Sequence, residues 1–236
     1  MTKTLRILSG GSAQGLVGRL QAEFEKKHDC RIEGSFGAVG AMRDKLLAGT
    51  PCDLLILTQA LIDELAAQGR AQTASVTPVG RVKTGVALKE KHAPVAIRTP
   101  EDLKALLQAA PEIYFPDPAK ATAGIHFMKV LQALDLAGDP AKLKTYPNGA
   151  TAMAALAQAS EPEAVGCTQV TEILITPGVR LTGLLPAPHE LVTLYTAAVA
   201  TDAQEPQLAR ALVEELTAAG AVETRRRCGF SEASQA

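Results

Sequence analysis

The sequence predicts an α/β fold of mainly parallel sheets flanked by helices. Short apolar runs alternate with segments of helical period through the first seventy residues, and that alternation implies parallel strands with helices on their faces. Most of the runs end in loops of small residues that lead straight into a helix. The composition also permits a packed core: apolar residues make up 47% of 236 residues and charged residues 21%. A chain of this length holds one large domain or two lobes of about a hundred residues each.

The elements follow in order. Leu5–Leu8 is a short apolar strand, and Gln14–His28 carries Leu16, Val17, Leu20 and Phe24 at helical spacing. Arg31–Phe36 reads as a strand, Ala41–Leu47 as a helix ending at Gly49, Asp53–Leu57 as an apolar strand and Leu61–Gln68 as a helix stopped by Gly69. Val79–Leu88 is a strand with little polar alternation. Thr99-Pro100-Glu101-Asp102 opens a helix, with Thr99 as cap, Pro100 in the first turn and acids facing the positive end of the dipole. Glu112–Phe115 is a strand, Gly124–Leu134 a helix, Asn148–Ala159 a helix and Ala164–Thr168 a strand. Leu191–Ala200 is a long strand and Pro206–Ala219 the final helix, with Ser231–Ala236 expected to fray.

Charge and cysteine content narrow the function. A net charge of −1 gives no electrostatic case for nucleic acid or an anionic membrane, and 3% aromatic residues with no Trp leave no base-stacking platform. Cys30, Cys52, Cys167 and Cys228 are scattered, without zinc-ligand spacing, and free thiols are the simpler reading. No metal and no cofactor are expected. No run approaches the roughly 18–20 apolar residues of a membrane span. MTKTLRIL enters a strand without a leader-like stretch. The expected location is cytoplasmic, or periplasmic if the chain is a trimmed mature form.

The loops carry the chemistry. GGSAQG, FGAVGAM, DPAKATAG and NGATAM each lead into a helix. A helix N-terminus offers unpaired N–H groups and partial positive charge to an anion, and glycine lets the backbone approach it. A serine such as Ser12 is more commonly a plain helix cap. It is the recurrence of such loops that points to a small ligand. None of them has nucleotide-motif spacing.

Gly10-Gly11-Ser12, Ser35-Phe36-Gly37-Ala38-Val39, Ala48-Gly49-Thr50-Pro51-Cys52-Asp53-Leu54, Asp117-Pro118 with Ala123-Gly124-Ile125, and Cys228-Gly229-Phe230 occur in that order along almost the whole chain. In this the chain resembles type II periplasmic binding proteins, and among them the molybdate-binding proteins of ABC transporters. The resemblance implies a two-lobe fold, each lobe a mainly parallel sheet flanked by helices. Two crossover strands near Val79–Leu88 and Leu191–Ala200 would join the lobes, with a small anion between them. The implied division is 1–80 for the first part of lobe 1, 81–190 for lobe 2 and 191–236 for the return crossover and the rest of lobe 1. A monomer is expected, with an ABC permease as partner only for an exported form.

In that family two serine hydroxyls, a tyrosine hydroxyl and backbone N–H groups hold the oxyanion. Carried over, Gly11 and Ser12 match the first serine loop, Ala38 and Val39 stand at the second, and the N–H donors fall near Ala123, Gly124, Ala150 and Thr151. Gln169 stands at the tyrosine position, so two of three hydroxyl donors are missing. Each lost charge-assisted hydrogen bond costs about 1.5–3 kcal/mol. Two losses weaken an oxyanion on the order of 100- to 10,000-fold. An apolar wall at Val39 suits an organic carboxylate better.

The chain is also similar in kind to the aconitate isomerase-like branch of the same group. An allylic proton shift needs a base, an acid and cationic or N–H groups on the carboxylates. His126 is the candidate base, with packing as its other reading. Glu172 is a second candidate, placed at the rim or on the surface. Arg43 sits after FGAVG and reads mainly as a solvated partner of Asp44. Arg81 and Lys83 lie on the first crossover, Lys83 being the better placed for ligand, and Tyr195 lies on the second, at the site or in the core. Three readings follow: a binding protein for a small carboxylate-bearing anion, an isomerase of a small unsaturated polycarboxylate, and a ligand-sensing module. A molybdate or tungstate carrier is the further alternative to the first.

Overall fold

A computed structural model of the chain describes residues 2–233. It divides into two compact units, one made of the residues up to Val82 and from Thr193 on, the other of Lys83–Val192.

In the first unit β1 (Lys3–Gly10) pairs in parallel with β2 (Cys30–Gly37) and β3 (Leu54–Thr58), and β3 pairs antiparallel with β9 (Val192–Val199). Helices α1 (Gln14–His28), α2 (Val39–Leu47) and α3 (Gln59–Ala67) follow the three parallel strands, and α8 (Pro206–Thr217) and α9 (Val222–Arg227) close the chain. Helix α1 forms where Leu16, Val17 and Phe24 share its buried face. It ends at Asp29 in the left-handed conformation, with Lys26, Lys27 and His28 on the negative end of the dipole. Gly49 and Gly69 follow α2 and α3 at φ +87° and +70°, where a Cβ would be strained. The core gathers Leu5, Ile7, Phe24, Leu55, Leu57 and Leu212.

In the second unit the order is β4-β7-β5-β6, with β8 on the other side of β4. These are β4 (Thr77–Lys89), β5 (Ile113–Pro116), β6 (Leu143–Tyr146), β7 (Val165–Gln169) and β8 (Val179–Leu184). The pairs β5–β6 and β5–β7 are parallel, and β4–β7 is antiparallel. The two-residue period of a strand splits the core between the sheet faces. Val86, Leu88, Ile113 and Phe115 meet α4 (Pro100–Ala109) and α5 (Thr122–Ala133) on one side. Ala87 and Tyr114 meet α6 (Gly149–Gln158) and α7 (Val170–Leu174) on the other. Helix α4 starts as its sequence predicts: the Thr99 hydroxyl accepts from the Asp102 N–H, and the Asp102 carboxylate accepts from the Thr99 N–H.

Three features differ from the sequence reading. Strands β6 and β8 were not foreseen, because both are half exposed and lack a clear apolar run. Arg225–Arg227 belong to a separate short helix. The C-terminal segment is held at Ser231, which exchanges backbone hydrogen bonds with Arg81, while the Arg81 Nε donates to the Ala233 carbonyl. The rest of the expected frayed end, residues 234–236, lies outside the described residues.

Candidate functional site

In the first unit the strand register builds the candidate site. Gly10 and Gly37 are partners at the ends of β1 and β2, so the turns leaving them start side by side. Gly11-Ser12-Ala13 forms a single 3₁₀ turn that runs into α1, and all three residues are buried. Ser12 is 2% exposed, and its Oγ has no hydrogen-bond partner among the described residues. Such an atom carries an unmet desolvation cost. Across from it, α2 opens on Ala38 without a side-chain cap, and its first turn closes with the Met42 N–H on the Ala38 carbonyl. That leaves the N–H groups of Val39, Gly40 and Ala41 without intrahelical partners. A Cβ on Gly10 would stand 2.8 Å from Val39 Cγ1 and 2.9 Å from Tyr195 Cε1. Glycine there lets the Val39 and Tyr195 side chains close over the strand end. Tyr195, partnered in register with Thr58, is buried edge-on against Phe230. This unit therefore offers a hydroxyl, backbone donors and an apolar wall.

In the second unit α5 also opens without a side-chain cap. The Ile125 N–H bonds the Ala121 carbonyl, which leaves the first-turn N–H groups of Thr122, Ala123 and Gly124. Gly124 presses on the backbone of Pro116 and Asp117, where a Cβ would fall 2.2 Å from a carbonyl oxygen. Two residues on, half-buried His126 places Nε2 2.8 Å from the His189 carbonyl. A carbonyl only accepts, so Nε2 carries a proton, and in the neutral form of the ring Nδ1 is the acceptor.

Helix α6 differs from the sequence expectation. Asn148 Oδ1 accepts from both the N–H and the hydroxyl of Thr151, and the Ala152 N–H bonds the Asn148 carbonyl. Glu172, expected at the rim, is 5% exposed and accepts from Thr168 Oγ1 at 2.6 Å. Burial pushes its carboxyl above the usual carboxylate range, opposed by the Thr168 hydroxyl and by the backbone N–H groups of Ala150, Gly149 and Gln169. The donors assigned to a ligand at Ala150 and Thr151 are turned to Glu172 and Asn148 instead. The chain supplies its own carboxylate there, because β7 ends beside α6 and the turn into α7 brings Glu172 back over it.

Gln169 ends β7 with 2% exposure and is the register partner of Thr84 on β4. Thr84 was missed by the sequence reading. Lys83 beside it is exposed. Arg81 is occupied by the C-terminal segment, and Arg43 pairs with Asp44 at 3.0 Å. The four thiols are free and buried, and burial pushes Cys52 up to about 12. Among the described residues no cluster of three or more His, Cys, Asp or Glu forms a metal site, and no helix is long and apolar enough to cross a membrane.

Loops at strand ends with small-residue helix starts, on this order of strands, define a periplasmic-binding-protein fold. The periplasmic molybdate-binding protein of Azotobacter vinelandii superposes with a TM-score of 0.80 at 17% identity, over 96% of this chain and 98% of that one. The sulfate-binding protein SubI of Mycobacterium tuberculosis H37Rv superposes at 0.71 and 16% identity, over 98% and 88%. Residues 5–231 match the family of bacterial extracellular solute-binding proteins, and the chain belongs to that family. An aconitate isomerase from Pseudomonas sp is 26% identical over 221 residues, covering 90% of this chain and 82% of that protein.

Proposed function

We propose that the protein binds a small organic polycarboxylate of the aconitate class. The observation that carries this is Ser12 Oγ: buried, without a partner among the described residues, on the turn that leaves β1 at Gly10, where the Val39 side chain closes in and the turn into α2 starts alongside. A tetrahedral oxyanion needs donors on nearly every side, and Val39 cannot donate from its side chain. A polycarboxylate joins charged ends to an apolar skeleton, which such a lining suits. The likeness to an aconitate isomerase supports the same ligand class.

A second reading, isomerisation of an unsaturated polycarboxylate, is favoured by that likeness and by His126. An allylic shift removes a proton from a methylene beside a carboxylate, moves the double bond by one carbon, and returns a proton to the far carbon. His126 Nδ1 is the group suited to take that proton. Coupling to an ABC permease belongs to an exported form of the chain.

The test is a thermal-shift series with molybdate, tungstate, sulfate, phosphate, citrate, and cis- and trans-aconitate, because a ligand that binds only the native state raises the melting temperature. The tricarboxylates are expected to shift it and the inorganic oxyanions are not. A shift with molybdate alone overturns the reading. Interconversion of the two aconitates, followed by proton NMR and abolished in His126→Ala, decides for turnover.

A further inference from the structure

We infer that the first unit holds a further binding site, for a small α-amino acid with an aliphatic side chain. It goes beyond the polycarboxylate reading and does not rest on it. A cavity of about 240 Å³ is bordered by Arg6, Leu47, Pro51, Arg70, Asp202 and Gln204, all of them in the first unit. It lies where β3 begins and β9 ends. The turns at Ser12 and Val39 leave from the other end of the sheet, after Gly10 and Gly37. Arg6 stands on β1 roughly 13 Å of extended strand before Gly10, so the two sites are separate.

Backbone bonds fix the residues around this cavity. The Asp53 carboxylate accepts from the N–H groups of Arg6 and Gln204, each at 2.7 Å. A third N–H, from Glu205 at 3.0 Å, completes its set, so the Asp53 charge is met within the protein. The Arg70 N–H donates to the Leu65 carbonyl at 2.8 Å, and its carbonyl accepts from the Thr201 N–H at 3.0 Å. The charged side chains are not committed in the same way. Arg6 Nη1 donates to a neutral partner, Gln204 Oε1, at 3.3 Å. The side chains of Arg70 and Asp202 form no hydrogen bond or ion pair among the described residues.

Two guanidinium groups and one carboxylate thus border one cavity without pairing with one another. A simple anion there is attracted by the arginines and repelled by Asp202, and a simple cation meets the reverse. A zwitterion satisfies both signs. Its carboxylate matches the planar N–H fork of a guanidinium, and its ammonium group matches Asp202. Leu47, 44% exposed, and Pro51 border the same space and offer apolar surface to an aliphatic side chain. Liquid water takes about 30 Å³ per molecule, so the cavity has room for about eight waters. That is space for an amino acid of the size of leucine.

The experiment follows backbone amide NMR signals of the full chain during titration with L-leucine, 4-methylpentanoate and isoamylamine. The last two keep the branched skeleton and lack the ammonium and the carboxylate, respectively. Leucine is expected to shift the amides of Thr50, Cys52, Asp202 and Gln204 with a Kd of about 1 mM or below. Each analogue is expected to bind at least about 10-fold more weakly. Arg70→Gln and Asp202→Asn, both at exposed positions, are each expected to weaken leucine about 5- to 50-fold. Their amide spectra without leucine should otherwise match wild type. No leucine-dependent shift at those amides overturns the inference. So does an analogue that binds as well as leucine, or wild-type leucine affinity in both variants.

Discussion

Thr168 Oγ1 donates to Glu172 Oε2 at 2.6 Å, and the pair sits against Gly149 so closely that a Cβ there would meet both oxygens at 2.0 Å. The carboxylate thus lies on the first turn of α6. Glu172→Ala removes the acceptor and leaves a cavity, and is expected to cost about 2–4 kcal/mol. In a chain of this size that lowers the melting temperature by roughly 5–15 °C, measured by calorimetry. The pH dependence has a definite sign. Burial holds the carboxyl above its ordinary 4.5, so over the interval above that value the native state keeps a proton that the unfolded chain has released. The stability from this group is whole below 4.5 and is lost as pH rises through the raised value. Urea unfolding from about pH 4 to about pH 7 should show wild type losing stability relative to Glu172→Gln. A constant difference would mean that the carboxyl titrates normally.

Gly10 tests the packing of the first unit. Gly10→Ala drives a methyl into Val39 Cγ1 and Tyr195 Cε1, and is expected to cost about 1–3 kcal/mol. Adding Val39→Ala should restore part of that loss, leaving the clash with Tyr195. A double-mutant cycle by urea unfolding measures the coupling, and additive losses would show that the two sites do not meet.

Asp53 carries a structural role. It is 1% exposed and accepts from the backbone N–H groups of Arg6 at 2.7 Å, Gln204 at 2.7 Å and Glu205 at 3.0 Å. One carboxylate thereby ties β1, β3 and the start of α8. Asp53→Ala leaves three donors unmet, with an expected loss of about 2–4 kcal/mol. At a temperature where the variant is folded, its ligand affinity should match wild type. A stability change below 0.5 kcal/mol, roughly the surface-substitution range, would count against this role.

The thiols should be inert. All four cysteines are buried, and burial pushes the Cys52 and Cys167 thiols up, away from the reactive thiolate. An aromatic disulfide reagent at neutral pH is expected to label native protein slowly and all four thiols in denaturant. Rapid labelling of the native chain would show an opening of the fold at one of these positions.

The alternation of strand and helix was legible because apolar periodicity and Gly, Pro and Thr punctuation are local: Thr99 caps α4, and Gly49 and Gly69 follow the helices they were expected to stop. The register that brings Gly11-Ser12 beside Ala38-Val39 follows from two consecutive parallel strands, so this half of the candidate site could be read from the chain. What Glu172 and Thr84 meet could not. Glu172 reaches α6 only because β7 lies next to β5 and turns into α7 at that point. Thr84 pairs with Gln169 across β4 and β7, and packing there buries its hydroxyl without a partner among the described residues. Propensity and patterning act over a few residues and determine which elements form. Whether a polar atom is exposed, bonded or left unmet depends on segments distant in the chain, and only the packed tertiary structure decides it.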